Sequence, residues 1–223
     1  MSSPAGNKHA NRSAQTRTRF IEAAQKLFAE RSIDAVSLNE ITVAAGQKNR
    51  NALQYHFGNR DGLLQAIIDT HAVRVQALRR DTLDTLALGD CSAARAAACA
   101  LVKPLADYVG ENPAGIYYVK ILSQLAALNS SILNPSTRSG LTFHDDKQLA
   151  ALLGDAVSHL KPAEAQRRMF LTLSVTFHSI ADVCRASESS DTSPRLKQRS
   201  ALFEQVTLAV ESLLAAPPLE DNS

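Results

Sequence analysis

Apolar residues recur along most of the chain at intervals of three and four, which is the spacing of one face of an α-helix. A first helix is predicted from about Ala14 to Arg31, and a long one from about Arg60 to Leu88. Between them, Ser37 to Arg60 contains two shorter periodic segments separated by a polar turn. The sequence has no alternating β-branched runs of the kind that strands need. The pattern therefore predicts an all-α protein of about nine helices.

The last two periodic segments are unusually long. Ala163 to Ala186 and Pro194 to Ala216 each place large apolar residues on one stripe, over roughly 23 residues or about 35 Å of helix. Two such helices make half of a four-helix bundle, which a symmetric partner chain would complete. The alternative is that both helices pack only on their own domain. The dimer contacts expected from the stripes are Phe170, Ile180, Cys184, Phe203, Val206, Val210 and Leu213.

Two interruptions are predicted in the helical region that begins at Ser92. Pro104 is expected to kink or restart the first helix, because proline lacks the N–H that a helix interior uses. Asn129 to Thr142 contains Ser, Asn, Pro and Gly and predicts a loop of about a dozen residues.

The segment from Ser37 to Arg60 carries the most specific chemistry. Ser37 and Glu40 have the spacing of a capping box, and Gly46 suits the left-handed conformation that ends many helices. The second short helix is expected to turn polar side chains outward, and these types bond base edges or phosphates of DNA. They are Arg50, Asn51, Gln54 and Tyr55. The alternative is an ordinary helical hairpin with a solvated polar face.

Charge is distributed unevenly along the 223 residues. Residues 1–60 contain nine basic and four acidic residues, a net charge of +5, whereas residues 61–223 contain 15 basic and 18 acidic residues, a net charge of −3. This asymmetry favours an N-terminal domain that binds a polyanion.

The remaining composition argues against several other classes. Cys91, Cys99 and Cys184 are odd in number and far apart, so we predict reduced thiols and neither a disulfide framework nor a metal site. Apolar runs are too short for a membrane span, and the polar N-terminus lacks the apolar core of a signal peptide. We expect a cytoplasmic protein without a cofactor.

Residues 14–74 resemble the DNA-binding domain of the TetR family of bacterial one-component regulators. The resemblance rests on small, apolar and aromatic residues that recur in one register. They are Arg19-Phe20-Ile21, Ala23-Ala24, Leu27-Phe28, Ile41, Ala45-Gly46, Leu53, His56-Phe57, Arg60-Asp61 and Leu63. Two features depart from the family: the turn is one residue longer, and Gln54 stands where a phosphate-contacting Tyr is common. Tyr55 follows directly, and Arg60 matches the family's Lys at the start of the fourth helix.

The resemblance implies a three-helix helix-turn-helix domain joined by a long helix to a C-terminal ligand-binding and dimerisation domain. We expect a disordered arm over residues 1–13, the DNA-binding domain over 14–74 with its helix-turn-helix at about 37–56, the regulatory domain over 75–216, and a polar tail over 217–223. The residues expected to contact double-stranded DNA are Arg17, Ser37, Lys48, Asn49, Arg50, Asn51, Gln54, Tyr55, His56 and Arg60.

The family resemblance further implies a homodimeric repressor that binds a palindromic operator and is released by a small effector, which we expect to be apolar or aromatic. Apolar and aromatic residues of the C-terminal domain are candidates to line its pocket, although each is more often plain core. They are His71, Tyr117, Tyr118, Phe143, Met169, Phe177 and His178.

Two other classes of function are alternatives to a DNA-binding regulator. An enzyme is disfavoured because the chain lacks the usual hydrolase, metalloprotease, phosphate-loop and dinucleotide-binding motifs. A helical adaptor that binds protein, without sequence-specific DNA binding, is the alternative.

Overall fold

The computed structural model describes residues 4–49, 51–128, 141 and 147–219, and within these ranges all regular structure is helical. The all-α prediction is confirmed. In chain order, the helices are α1 (Pro4–Glu30), α2 (Leu38–Ala44), α3 (Asn51–Phe57), α4 (Arg60–Leu86), α5 (Ala93–Glu111), α6 (Gly115–Leu128), α7 (Lys147–Ala156), α8 (Pro162–Glu188) and α9 (Arg199–Ala215), with a 3-10 turn at Pro194–Lys197 before α9.

The N-terminal segment differs from the expected disordered arm over residues 1–13. Helix α1 begins at Pro4 instead of near Ala14. Proline is tolerated in the first turn of a helix, because the N–H that it lacks has no partner there. The pattern missed this part of α1 because residues 10–15 are all exposed, so no apolar period marks it.

The chain divides into two units between Thr70 and His71, within α4. In the first unit, α1, α2, α3 and the start of α4 enclose a small apolar core. Its largest fully buried side chains are Phe20, Phe28, Val36, Ile41, Leu53, Leu63, Ile67 and Ile68. Phe20 and Phe28 are eight residues apart on α1, and Leu63 and Ile67 are four apart on α4, as one face of a helix requires.

The second unit is built around α5, whose side chains are buried along most of its length. Helices α6, α7, α8 and α9 all pack against it. Small residues such as Ala97, Ala98 and Ala100 are fully buried on α5. Their small side chains let several neighbouring helices approach one central helix.

Most of the predicted dimer contacts are buried inside this unit. Ile180, Cys184, Phe203, Val206 and Val210 belong to the core of the chain itself, so little of their surface is left for a partner. The apolar stripes of α8 and α9 face each other and α5, because the unit needs them to close its own core. Of the predicted set, Phe170 is exposed and Leu213 is half-buried.

Pro104 does not interrupt α5, which runs from Ala93 to Glu111. Proline removes the N–H that would bond the carbonyl four residues earlier, at Ala100. Arg79 of α4 donates from Nε to that carbonyl oxygen at 3.0 Å. A side chain from a neighbouring helix thus satisfies the acceptor that the proline leaves unpaired.

A buried arginine holds the C-terminus of α9. Arg168 of α8 donates to the carbonyl oxygens of Leu213 and Ala216 at 2.8 Å and to that of Pro217 at 3.2 Å. It also donates to Oε1 of Glu164 at 3.1 Å, and both ionic side chains are largely buried. The last carbonyls of a helix have no partner within it, so Arg168 replaces a C-terminal cap and fastens α9 to α8.

Replacement of Arg168 by Met is expected to lower the free energy of unfolding by about 3–5 kcal/mol, because it leaves Glu164 buried without its partner. Chemical denaturation of the full chain measures this. Arg167 is the adjacent exposed residue, and its replacement by Met should change stability by no more than about 0.5 kcal/mol. Equal effects of the two variants would contradict the role given to Arg168.

Candidate nucleic-acid interface and effector site

Helix α2 begins with the capping box that the sequence predicted. Ser37 Oγ accepts from the N–H of Glu40 at 3.2 Å, and Glu40 Oε2 accepts from the N–H of Ser37 at 2.8 Å. Arg31, at the end of α1, donates to Glu40 Oε1 at 2.5 Å. The Arg31 hydrogen bond, followed by those of Ser37, lowers the pKa of Glu40 to about 2. One carboxylate therefore closes the cap and ties α2 to α1.

The end of α2 is set by a glycine. Gly46 has a φ of +67°, and the N–H groups of Gly46 and Gln47 donate to the carbonyl oxygens of Val43 and Thr42 at 2.9 and 3.0 Å. This pair of bonds is a Schellman motif. It reverses the chain direction at the start of the polar turn, as the sequence predicted for Gly46.

The buried face of α2 includes a polar residue. Val43 is 68 % exposed, and Thr42 is buried. Successive helical residues are 100° apart, so Ile41, Thr42 and Ala45 share a face, and Val43 points away from it.

Helix α3 presents a polar surface. Leu53 is buried, while Asn51, Gln54 and Tyr55 are exposed, with 83 % of Tyr55 accessible. Asn49 Oδ1 accepts from the N–H of Asn51 at 2.9 Å, so the side chain of Asn49 caps the first turn. These outward positions agree with the prediction.

Lys48 is exposed in the turn before α3. Arg50 lies outside the described residues. Their assignment to DNA stays a prediction.

Aromatic contacts hold α3 against α1. The ring of Phe57 packs edge-on to Phe20, and the ring of His56 is tilted against both, with all three centroid separations near 6 Å. The guanidinium of Arg17 lies 5.2 Å from the centroid of Phe57. Arg17 was expected in the first turn of α1, but it lies more than three turns into the helix. Its placement therefore rests on the Phe57 ring and not on a helix terminus.

The junction between α3 and α4 allows little change. Asn59 Oδ1 accepts from the N–H of Gly62 at 2.9 Å, and Gly58 has a φ of +75°. A Cβ atom on Gly62 would lie 1.9 Å from the carbonyl oxygen of Phe57, so a larger residue requires the backbone to move. Arg60, the predicted phosphate contact, donates to the carbonyl oxygen of Ile33.

A polar and aromatic cluster lies in the second unit. His71 stacks on Tyr118 with ring centroids 4.7 Å apart, and its Nδ1 lies 2.6 Å from the hydroxyl of Tyr108. Asn112 Nδ2 donates to the same hydroxyl at 2.9 Å, which leaves the Tyr108 proton for His71. Burial lowers the pKa of His71 to about 4, so this histidine is neutral at physiological pH.

The structure thus brings together two of the predicted effector residues, His71 and Tyr118. Tyr108 and Asn112 complete the cluster. Sequence reasoning missed them because the helical period marks Tyr108 only as a core position. On the same side of α4, Arg74 donates from Nη2 and Nε to the two carboxylate oxygens of Glu111, at 2.7 and 2.9 Å.

The other predicted effector residues are placed separately. Met169 and Phe177 of α8 are half-buried and pack on the core, and Tyr117 is half-buried on α6. The Nδ1 atom of His178 lies 2.7 Å from Oγ of Ser123. Phe143 lies outside the described residues, as do most of the residues of the predicted 129–142 loop.

A groove of about 670 Å³ runs between α5 and α9. Val102, Ala106 and Phe203 line it, together with charged residues that include Lys103 and Arg199. Its volume is in the range of small-molecule sites. None of the described effector candidates lines this groove, so the second unit contains two distinct candidate sites.

The sequence of the first unit identifies the family. Residues 20–67 match the family described as bacterial regulatory proteins, tetR family. The N-terminal unit belongs to the TetR family of DNA-binding domains. The predicted family is confirmed, and with it the assignment as a DNA-binding transcription regulator with a helix-turn-helix. The match covers α2 and α3 together with parts of α1 and α4.

Solved structures of TetR-family regulators are similar at low sequence identity. A gamma-butyrolactone receptor (ArpA-like protein) is 20 % identical, with 90 % of this chain and 98 % of that chain covered and a TM-score of 0.49. RolR in complex with the ligand resorcinol is 19 % identical, with coverages of 95 % and 98 % and a TM-score of 0.45. A TetR-family regulator from Streptomyces coelicolor is 15 % identical, with coverages of 91 % and 96 % and a TM-score of 0.41. No curated protein matches the chain in sequence.

Two other kinds of site are not found among the described residues. Across the described ranges, no three His, Cys, Asp or Glu residues are grouped closely enough to hold a metal ion. None of the described helices combines the length and apolar character needed to cross a membrane.

The pKa of Glu40 predicts an acid-dependent contribution to stability. Because its pKa is lower in the folded state, the ionised carboxylate stabilises the fold above about pH 4.5, and this stabilisation is lost as the pH falls towards about 2. The wild type should have a higher melting temperature than Glu40→Gln at pH 7. The difference in melting temperature should disappear as the pH falls from about 4.5 to about 2. The control is Glu30→Gln, at an exposed position on α1. A gap that does not change with pH would contradict this role of Glu40.

Proposed function

We propose that the chain is a transcriptional repressor that binds a palindromic operator as a homodimer and is released from it by a small apolar or aromatic effector. The observation that carries this proposal is the exposed polar face of α3, on a helix-turn-helix that belongs to a DNA-binding family.

The operator contacts are assigned by side-chain chemistry. Asn51 and Gln54 carry the amides that pair with adenine edges in the major groove. Tyr55 and Lys48 suit phosphate oxygens, which position a protein without reading the sequence. Arg60 already bonds Ile33 within the first unit, but a guanidinium has five N–H donors. A phosphate contact by Arg60 is therefore compatible with its structural bond.

Dimerisation is supported by apolar side chains that the second unit leaves exposed on its last two long helices. They are Phe170 and Leu171 on α8 and Leu208 on α9, each between 40 % and 50 % exposed. These residues replace the buried members of the stripes as the proposed seam. A two-fold dimer would place two α3 helices in half-sites about one DNA turn apart.

Release by an effector is proposed to act through α4. In the second unit this helix is bonded to α5 at His71, Arg74 and Arg79. An effector that inserts beside His71 and Tyr118 must compete with the Tyr108 hydrogen bond and shift α4 against α5. Such a ligand favours one state of the regulator only through its differential affinity for the two states.

Gln54→Ala is expected to weaken binding to an operator selected from random DNA by about 5- to 150-fold per half-site, which corresponds to about 1–3 kcal/mol per good base contact. Tyr55→Ala, which removes a phosphate contact, is expected to weaken binding to selected and scrambled duplexes alike. Both side chains are exposed, so the melting temperature should be unchanged. Titration with fluorescent duplexes gives the affinities, and sedimentation gives the number of chains per duplex.

The matched control is Val73→Ala, at an exposed apolar position in the second unit. Wild-type affinity in both α3 variants would refute the assignment of the reading helix. A single chain per duplex would refute the homodimer, and binding to scrambled duplexes as tight as to the selected one would refute operator recognition.

A panel of small phenols, aromatic acids and medium-chain fatty acids tests the effector. A compound at about 100 times its Kd should stabilise the folded state by about 2.7 kcal/mol. Because each kcal/mol raises the melting temperature of a chain of this size by about 2–4 °C, the melting temperature should rise by about 5–10 °C. That shift should be lost in Tyr118→Leu. It should persist in Gly110→Leu, which fills the α5–α9 groove at a position where a Cβ meets no atom.

A shift in melting temperature that persists in Tyr118→Leu and is lost in Gly110→Leu would place the effector in the α5–α9 groove instead of beside His71. Absence of any shift across the panel would contradict an apolar or aromatic effector. A compound that stabilises the protein without weakening its binding to DNA would contradict release as the mechanism.

A further inference from the structure

The last residue of α3 is held on α1 by a phenylalanine and an arginine. Arg17 and Phe20 are three residues apart on α1, so they project from the same face of that helix. Both reach the ring of Phe57. Phe20 packs edge-on to it with ring centroids 6.0 Å apart, and the Arg17 guanidinium lies 5.2 Å from the ring centroid. That distance is within the range of about 6 Å over which a cation is attracted to an aromatic face.

This contact supplies a second point of attachment for a short helix. Helix α3 has seven residues, and Leu53 is its buried side chain. A helix attached at one point can swing about that point. Phe57 follows Leu53 by four residues, which is about 6 Å of helix, and lies on the same face. An attachment at that distance limits the swing.

A small swing of α3 would matter more for reading bases than for binding phosphates. Side chains extend about 5–6 Å from a helix axis, so a swing of about 10° moves them by about 1 Å. Hydrogen bonds to base edges form over a range of only about 0.5 Å in distance. Attraction to phosphates is electrostatic and independent of sequence, so it tolerates such a movement. The orientation of α3 therefore affects how well the protein distinguishes one duplex from another.

We propose that Arg17 is a positioning residue for sequence recognition, which acts through the Phe57 ring to hold α3 and not by touching DNA. This inference rests on the proposed function, because it requires that α3 reads an operator. When a reading helix is correctly placed in only a fraction of the molecules, the apparent affinity falls by that fraction. Loss of an exposed cation–π contact corresponds to a change of about 2- to 5-fold in such an equilibrium.

A matched pair of variants, Arg17→Gln and Arg19→Gln, tests the proposal on the full chain. Both residues are exposed cations on α1, two positions apart, and the contact with Phe57 belongs to Arg17. Arg17→Gln should weaken binding to the selected operator by about 2- to 5-fold per half-site. It should change binding to the scrambled duplex no more than Arg19→Gln does. The ratio of the two affinities should therefore fall in Arg17→Gln and stay at the wild-type value in Arg19→Gln.

A second pair of variants tests the route through the ring. In a Phe57→Leu background, which has no aromatic face, Arg17→Gln should cause no further fall in the affinity ratio. In a Phe57→Tyr background, which keeps the face, Arg17→Gln should cause the same fall as in the wild type. Circular dichroism at the assay temperature checks that each variant is folded. If Phe57→Leu is not folded, the matched pair of arginine variants still decides.

Equal affinity ratios in Arg17→Gln and Arg19→Gln would overturn the positioning role. It would also be overturned if Arg17→Gln weakened binding to both duplexes alike and made the slope of log affinity against log salt shallower by about 0.9, because that is the effect of losing a direct phosphate contact. Either result leaves the proposed function standing. A wild type that binds the selected and scrambled duplexes equally well would overturn both.

Discussion

A helix of seven residues is too short to sustain itself in water, and α3 has seven residues. Its conformation depends on contacts at both ends and on one side. Asn49 caps its first turn, Gly58 ends it with a positive φ, and Leu53 is buried in the core. With that side held, the other side is exposed and carries the polar residues. The capped α2 and the aromatic contacts with α1 hold this short helix in place.

The same requirement to satisfy helix termini and interrupted backbone shapes the second unit. There the solution is long-range: arginine side chains reach across to carbonyl oxygens of neighbouring helices. Arg168 serves the end of α9, and Arg79 serves the carbonyl released by Pro104. Guanidinium groups suit this role because they offer several N–H donors in a fixed fork. These bonds make the packing of α4 on α5 and of α8 on α9 specific in register.

His71 shows how a polar residue becomes part of that packing. A charged imidazolium would offer two N–H donors and no acceptor, so it could not receive the Tyr108 hydroxyl proton. Burial keeps the ring neutral, and Asn112 orients the hydroxyl towards it. The stacking on Tyr118 then follows from the fixed plane of the ring. The cluster joins α4 to α5 and α6.

Local spacing was enough to predict the helices, the Ser37–Glu40 cap, the turn at Gly46 and the outward face of α3. Each depends on residues within about five positions of one another, so their geometry follows from the helical period and backbone preferences alone. The carbonyl partners of Arg79 and Arg168 and the Tyr108 partner of His71 are 21 to 49 residues away in the chain, and no spacing in the sequence marks such pairs. Periodicity likewise identified the apolar stripes of α8 and α9 but not what covers them. A stripe that packs on its own domain and one that packs on a partner bury the same residue types, so their assignment to the core required the packed chain.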